Sequence, residues 1–198
     1  MDMIQYKNNL RKEMKQKRSF MSKEEVKEKS RIICEKILAS GIYKNSNCIY
    51  CYYPVQNEVD IRKVIQTSLK EGKIIALPKV TDTNGRMFFA EIKNLNHLQT
   101  GHYNIPEPTE TTQARKADMI LVPGVVFSTK GERIGQAGGF YDRFLERNHV
   151  YSIGVAYDFQ LRDEIKSQPH DMNVDMVISN IEEKIMSLVA SVAGLGLI

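Results

Sequence analysis

The chain has 198 residues, a net charge of +4 and three cysteines. That length suits one domain with a buried core. The charge is too mild to argue for a nucleic-acid binder, and an odd cysteine count argues against a disulfide framework and for a reducing cytosol.

No run is long enough to span a bilayer, and Met1 to Phe20 is too charged for a signal peptide, so a cytoplasmic protein is expected. Residues 3 to 18 read as a basic helix with Ile4, Leu10 and Met14 as apolar points. Ser22 and Glu25 have the spacing of a capping box for a second helix running to about Ala39. Val26, Ile33 and Ile37 mark its core-facing stripe, and Gly41 is expected to end it. Cys48 to Tyr53 reads as the first central strand, Asp60 to Lys70 as a helix stopped by Gly72, and Lys73 to Leu77 as a short buried strand. Asp82-Thr83-Asn84-Gly85 reads as a turn before a strand from Met87 to Glu91. Residues 93 to 116 are loop-rich. Met119 to Val122, Val125 to Phe127, Tyr151 to Ala156 and Val174 to Ile178 read as strands, and Tyr141 to Asn148 as a helix. The apolar tail, Ser187 to Ile198, reads as a packed terminal segment or a subunit contact. Helices alternating with short apolar strands imply one α/β domain over residues 1–198, with a mostly parallel central sheet flanked by helices. Ligands of such sheets collect beyond the carboxyl ends of the strands. Tyr53-Pro54, Pro78-Lys79, Pro123-Gly124 and Tyr157-Asp158 are therefore candidates to line one crevice.

The densest chemistry lies between Gly131 and Arg143, where four glycines, two arginines and an aspartate fall in thirteen residues. Glycines let a ligand approach the main chain, and successive N–H groups at a helix start form a cup for anions. Arg133 and Arg143 add guanidinium groups that match phosphate geometry, and Asp142 is of a type to hold a divalent cation against it. The pattern is neither a Walker A loop nor a dinucleotide fingerprint. It reads as a nucleotide or polyphosphate site, against the bland alternative of a glycine-rich turn with solvated arginines. Cys48 and Cys51 would point to opposite faces of a strand, and no second pair completes a zinc site. The basic first helix lacks the interleaved aromatics that would stack on bases.

Arg133-Ile134-Gly135-Gln136-Ala137-Gly138-Gly139-Phe140-Tyr141-Asp142-Arg143 resembles the signature of the 5-formyltetrahydrofolate cyclo-ligase family. Further segments fit in the family's order: Lys7 to Arg11, Tyr52-Tyr53-Pro54 with Asn57-Glu58-Val59-Asp60, Gly101 to Pro108, and Pro169-His170-Asp171 with Val174-Asp175. Gln136, Ala137 and Phe140 depart from the family's usual loop, Phe140 standing where a tyrosine is usual.

The resemblance implies a fold similar to the NagB/RpiA/CoA-transferase-like proteins, and ATP-dependent cyclisation of 5-formyltetrahydrofolate to 5,10-methenyltetrahydrofolate with release of ADP and phosphate. ATP would be co-substrate and Mg2+ the cofactor. Arg133, Phe140 and Tyr141 would be catalytic. Lys7 and Arg11, on one face of the first helix, would reach the ATP phosphates together with Arg143 and the backbone of Ile134 to Tyr141. Tyr53, Glu58 and the loop from Gln136 through Ala137, Gly138 and Gly139 to Phe140 would position the folate, with or without a polyglutamate tail. Asp142 and Asp171 would hold the metal. Lys12, Lys15, Lys17 and Arg18 would be mostly surface. A monomer or weak homodimer is expected, with no nucleic-acid or membrane partner. A phosphate-ligand or nucleotide binding module without turnover stays open as an alternative. A phosphosugar isomerase or acyl-CoA transferase is weaker, since no glutamate sits in an obvious nucleophile motif.

Overall fold

The computed structural model describes residues 2–81 and 86–181. The turn expected at Asp82 to Gly85 and the apolar tail at Ser187 to Ile198 lie outside them. Two long helices open the chain, α1 (Met3–Phe20) and α2 (Lys23–Ala39). The capping box of α2 forms as its spacing predicts, with Ser22 Oγ accepting from Glu25 N at 3.1 Å and Glu25 Oε2 accepting from Ser22 N at 2.8 Å. Gly41 does not end this helix. Ser40 caps its C-terminus and at once caps the N-terminus of a short α3 (Gly41–Asn45), its hydroxyl accepting from Tyr43 N.

The next elements are β1 (Cys48–Tyr50), α4 (Arg62–Lys70), β2 (Ile74–Val80) and β3 (Met87–Ile92). β4 (Leu98–Thr100) and β5 (Pro106–Pro108) make a small antiparallel pair. β6 (Met119–Pro123), β7 (Val126–Ser128), β8 (Arg133–Ile134), α5 (Phe140–Arg147), β9 (Tyr151–Ala156), β10 (Leu161–Arg162) and β11 (Met176–Ser179) complete the chain. The main sheet runs β11-β9-β6-β1-β2-β3 and is parallel throughout except at β2–β3. A second sheet, β10-β7-β8, stands beyond it.

The central strands read as unbroken apolar runs because both of their faces are covered. Ile49, Ile75, Leu77, Met119, Leu121, Ile153 and Val155 pack with Ile33 and Ile37 of α2 and Val64 and Ile65 of α4. Their alternates Tyr50, Ala76, Ile120 and Val122 pack with Phe89, Phe127 and, from α5, Phe144 and Leu145. Tyr50 stacks on Phe89 with ring centroids 4.3 Å apart, and Phe144 meets Phe89 edge-on at 4.9 Å. Cys48 and Cys51 fall in opposite cores, buried and reduced, as strand alternation requires. A third cluster sets Met14 of α1 against Val125, Val126, Ile134 and Ile165, and so fixes α1 beside the second sheet. Among the described residues, no helix is long and apolar enough to cross a membrane.

Candidate active site

A cleft of about 900 Å³ opens at the carboxyl ends of β1, β2 and β6. Tyr53, Pro78 and Pro123, three of the strand-end positions singled out from topology, line it. Tyr157 does not. It stands behind the wall, and its hydroxyl donates to the Glu58 carbonyl at 3.0 Å.

The glycine loop forms one side of the cleft. Arg133 leaves the short strand β8, Gly135 to Gly139 turn the chain, and α5 begins at Phe140. Gly139 has φ +64 at the N-cap of α5, where a side chain would be strained and its Cβ would lie 2.6 Å from Arg143 Nη1. Ala137 has φ +86, left-handed for a residue that carries a Cβ. Such strain costs about 1–3 kcal/mol, offset by the extra freedom that glycine brings to the unfolded chain. Ala137→Gly is therefore expected to stabilise the protein by about 0.5–1 kcal/mol and to raise Tm by about 2 °C. A thermal melt that shows no rise would mean the loop relaxes around the alanine.

Arg133 is 3% exposed. Its Nη2 donates to Asp142 Oδ1 at 2.6 Å and its Nη1 to the Pro123 carbonyl at 3.4 Å, while Nε is buried with no hydrogen-bond partner. Asp142 Oδ1 also accepts from Met172 N at 3.1 Å. Tyr141 lies beneath, its ring 6.0 Å from the Arg133 guanidinium, and burial pushes its phenol far above the usual range, so it is a neutral donor at pH 7. Arg143 donates to the Gly138 carbonyl and lies over the Phe140 ring at 5.7 Å.

From α1, Lys7 and Arg11 reach the same region. Lys7 Nζ binds both oxygens of Asp171, at 2.7 and 2.6 Å, and Gln168 Oε1 at 3.0 Å. Arg11 Nε donates to the Gly135 carbonyl at 2.9 Å, which ties the helix to the glycine loop. Burial lowers the pKa of its guanidinium, and the charges of Asp171 and Asp142 offset this only in part. The two expected metal carboxylates are thus each in an ion pair. Among the described residues no group of three or more His, Cys, Asp or Glu comes together. His170 is mostly solvent-exposed and 3.8 Å from Asp171, so no acid–base pair is built there.

Glu58 lines the same cleft. Burial raises its pKa, while Arg18, Val55 N–H and the Gln136 side chain pull it back down. Arg18 is a correction to the sequence reading. Far from being surface, it is 4% exposed, with Nη1 3.4 Å from Glu58 Oε1. A second wall had no assigned role in the sequence. Buried Glu107 accepts from His102 N at 3.1 Å and packs against Gly101, and the turn that follows presents His102, Tyr103, Asn104 and Ile105 to the cleft. The Gly101 to Pro108 motif was its only signal.

This geometry defines an α/β protein with a cleft at strand ends, lined by a glycine-rich loop that leads into a helix start and by a buried carboxylate. The 5-formyltetrahydrofolate cyclo-ligase family model matches residues 3–180, and the chain belongs to that family. It is 30% identical over 187 residues to the 5-formyltetrahydrofolate cyclo-ligase of Mus musculus, covering 87% of this chain and 92% of that one. The NMR structure of Aquifex aeolicus 5,10-methenyltetrahydrofolate synthetase superimposes with a TM-score of 0.80 at 31% identity, covering 89% of this chain and 90% of that one. The 5,10-methenyltetrahydrofolate synthetase of Mycoplasma pneumoniae gives 0.71 at 26% identity, covering 88% and 99%.

Proposed function

We infer that this cleft carries out the family's reaction, the ATP-dependent conversion of 5-formyltetrahydrofolate to 5,10-methenyltetrahydrofolate with release of ADP and phosphate. A formamide carbon is a poor electrophile and its oxygen a poor leaving group. Attack of the formyl oxygen on the γ-phosphate turns that oxygen into a phosphate ester on an iminium carbon. The N10 amine then adds, closes the five-membered ring and expels phosphate. The protein's share is positioning and charge stabilisation, and no covalent nucleophile is needed.

One observation carries the reading. A loop rich in backbone donors, with Arg133 at its base, lines a single cleft together with a buried carboxylate, as a transfer from a polyanion to a polar heterocycle demands. The Gly135 to Gly139 backbone and the start of α5 cradle phosphates, with Lys7, Arg11, Arg133 and Arg143 supplying charge. Tyr53, Glu58 and Phe140 position the folate, and Tyr141 completes the catalytic surface. Magnesium fits a site made largely of substrate, because it keeps several waters and takes one or two protein carboxylates beside phosphate oxygens. Asp142 and Asp171 would hold it, where it would neutralise the transferring phosphoryl group. The reading extends to a cytoplasmic, monomeric or weakly dimeric enzyme that accepts polyglutamylated folate. Binding without turnover is not favoured, because the relatives named above are themselves named as ligases and synthetases.

Glu58→Gln tests the division of labour. It is expected to raise the folate KM by about tenfold or more, as loss of a charge-assisted hydrogen bond does, with the ATP KM changed little. Equal rises in both would make Glu58 a structural residue.

A further inference from the structure

We propose that Arg18 is a positioning residue for the folate site, holding the buried Glu58 carboxylate charged and oriented from behind the cleft wall. The proposal rests on the folate reading of Glu58 given above. Arg18 does not line the cleft and Glu58 does. The two side chains are 4% and 12% exposed and come from segments 40 residues apart. A buried carboxylate is stable as an ion only when paired and hydrogen-bonded, and Arg18 is the cation paired with it.

The surroundings of Glu58 make the same point. Tyr52 from the end of β1, Tyr141 from α5 and Tyr157 beyond β9 face Glu58, and all three phenols are raised by burial and so uncharged at neutral pH. Gln136 adds a neutral amide from the glycine loop, and Val55 N donates to Glu58 Oε2 at 3.2 Å. Arg18 supplies the formal positive charge in this shell. Its main chain grips the same turn, its carbonyl accepting from Asn57 Nδ2 at 2.9 Å. Gln56 and Asn57 sit at φ +49 and +55, so the turn that aims Glu58 is strained and held in place by α1. The buried Arg18 Nε has no partner.

The test uses the full-length chain with Arg18→Met, Arg18→Lys, Glu58→Gln and the double variant Arg18→Met/Glu58→Gln. Arg18→Met is expected to raise the folate KM about tenfold near neutral pH, less as the pH rises and Glu58 ionises unaided, with the ATP KM within about twofold of wild type. Arg18→Lys recovers most of that loss. The double variant, which leaves no unpaired buried charge, should match Glu58→Gln alone, since one residue acts through the other. Should Arg18→Met fail to fold, the double variant and Arg18→Lys carry the comparison. A further folate loss in the double variant over Glu58→Gln, or equal rises in both KM values for an Arg18 variant, would overturn the proposal. If Glu58→Gln shows no folate selectivity, the folate reading of Glu58 falls. If Glu58→Gln is selective and the Arg18 variants are not, only the Arg18 proposal falls.

Discussion

Arg133→Ala is expected to reduce ATP-dependent turnover at least about 100-fold, the usual cost of losing one preorganised donor to a developing charge, and to weaken ATP binding. It also costs stability. Arg133 and Asp142 form an ion pair whose side chains are 2% and 18% exposed, and removing one partner of a buried pair costs about 3–5 kcal/mol. The geometry therefore predicts a variant that both binds and folds poorly. Arg133→Lys separates the two effects. It keeps the charge beside Asp142 but loses the planar fork, so most of the stability should return and most of the turnover should not. Nucleotide titration and a thermal melt on each variant read the two quantities independently. Unchanged ATP affinity in Arg133→Ala would remove this residue from the nucleotide site.

Asp171→Asn carries the second large effect. Lys7 and Asp171 are 164 positions apart, joined at 2.6 Å, and 8% and 10% exposed. Their pairing pins α1 to the segment after β10. Without the carboxylate, the Lys7 ammonium is buried without a counter-charge, at a cost of about 3 kcal/mol, which for a domain of this size lowers Tm by about 6–12 °C. In the double variant Lys7→Met/Asp171→Leu no unpaired charge remains, and much of the stability should return. ATP binding should not, because the cation is gone. Recovery of both stability and ATP affinity would make the pair a structural clamp with no part in nucleotide binding.

The fold was legible wherever periodicity or capping decides structure locally. The capping box at Ser22 and Glu25, the strand at Tyr151 to Ala156 and the split of Cys48 and Cys51 between two cores all follow from short-range rules. The two-residue strand β8 was not legible, since so short a run has no periodicity of its own and is defined only by its pairing with β7. In the site, the glycine loop stood out because its composition is itself unusual, with four glycines, two arginines and an aspartate in thirteen residues. Arg18 did not, because a basic residue on a basic helix looks solvated until Glu58, 40 positions on, is brought against it. The carboxylates tell a similar story. Asp142 and Asp171 suggest metal ligands by type, yet their partners Arg133 and Lys7 become apparent only when β8, α5 and α1 converge.

The most direct test of the central claim is absorbance at the methenyl product band, with purified protein, magnesium and 5-formyltetrahydrofolate, with and without ATP. The account predicts a rise that requires ATP and is lost in Arg133→Ala. No rise with ATP and folate both bound would contradict it, and would leave a nucleotide-binding protein that does not close the ring.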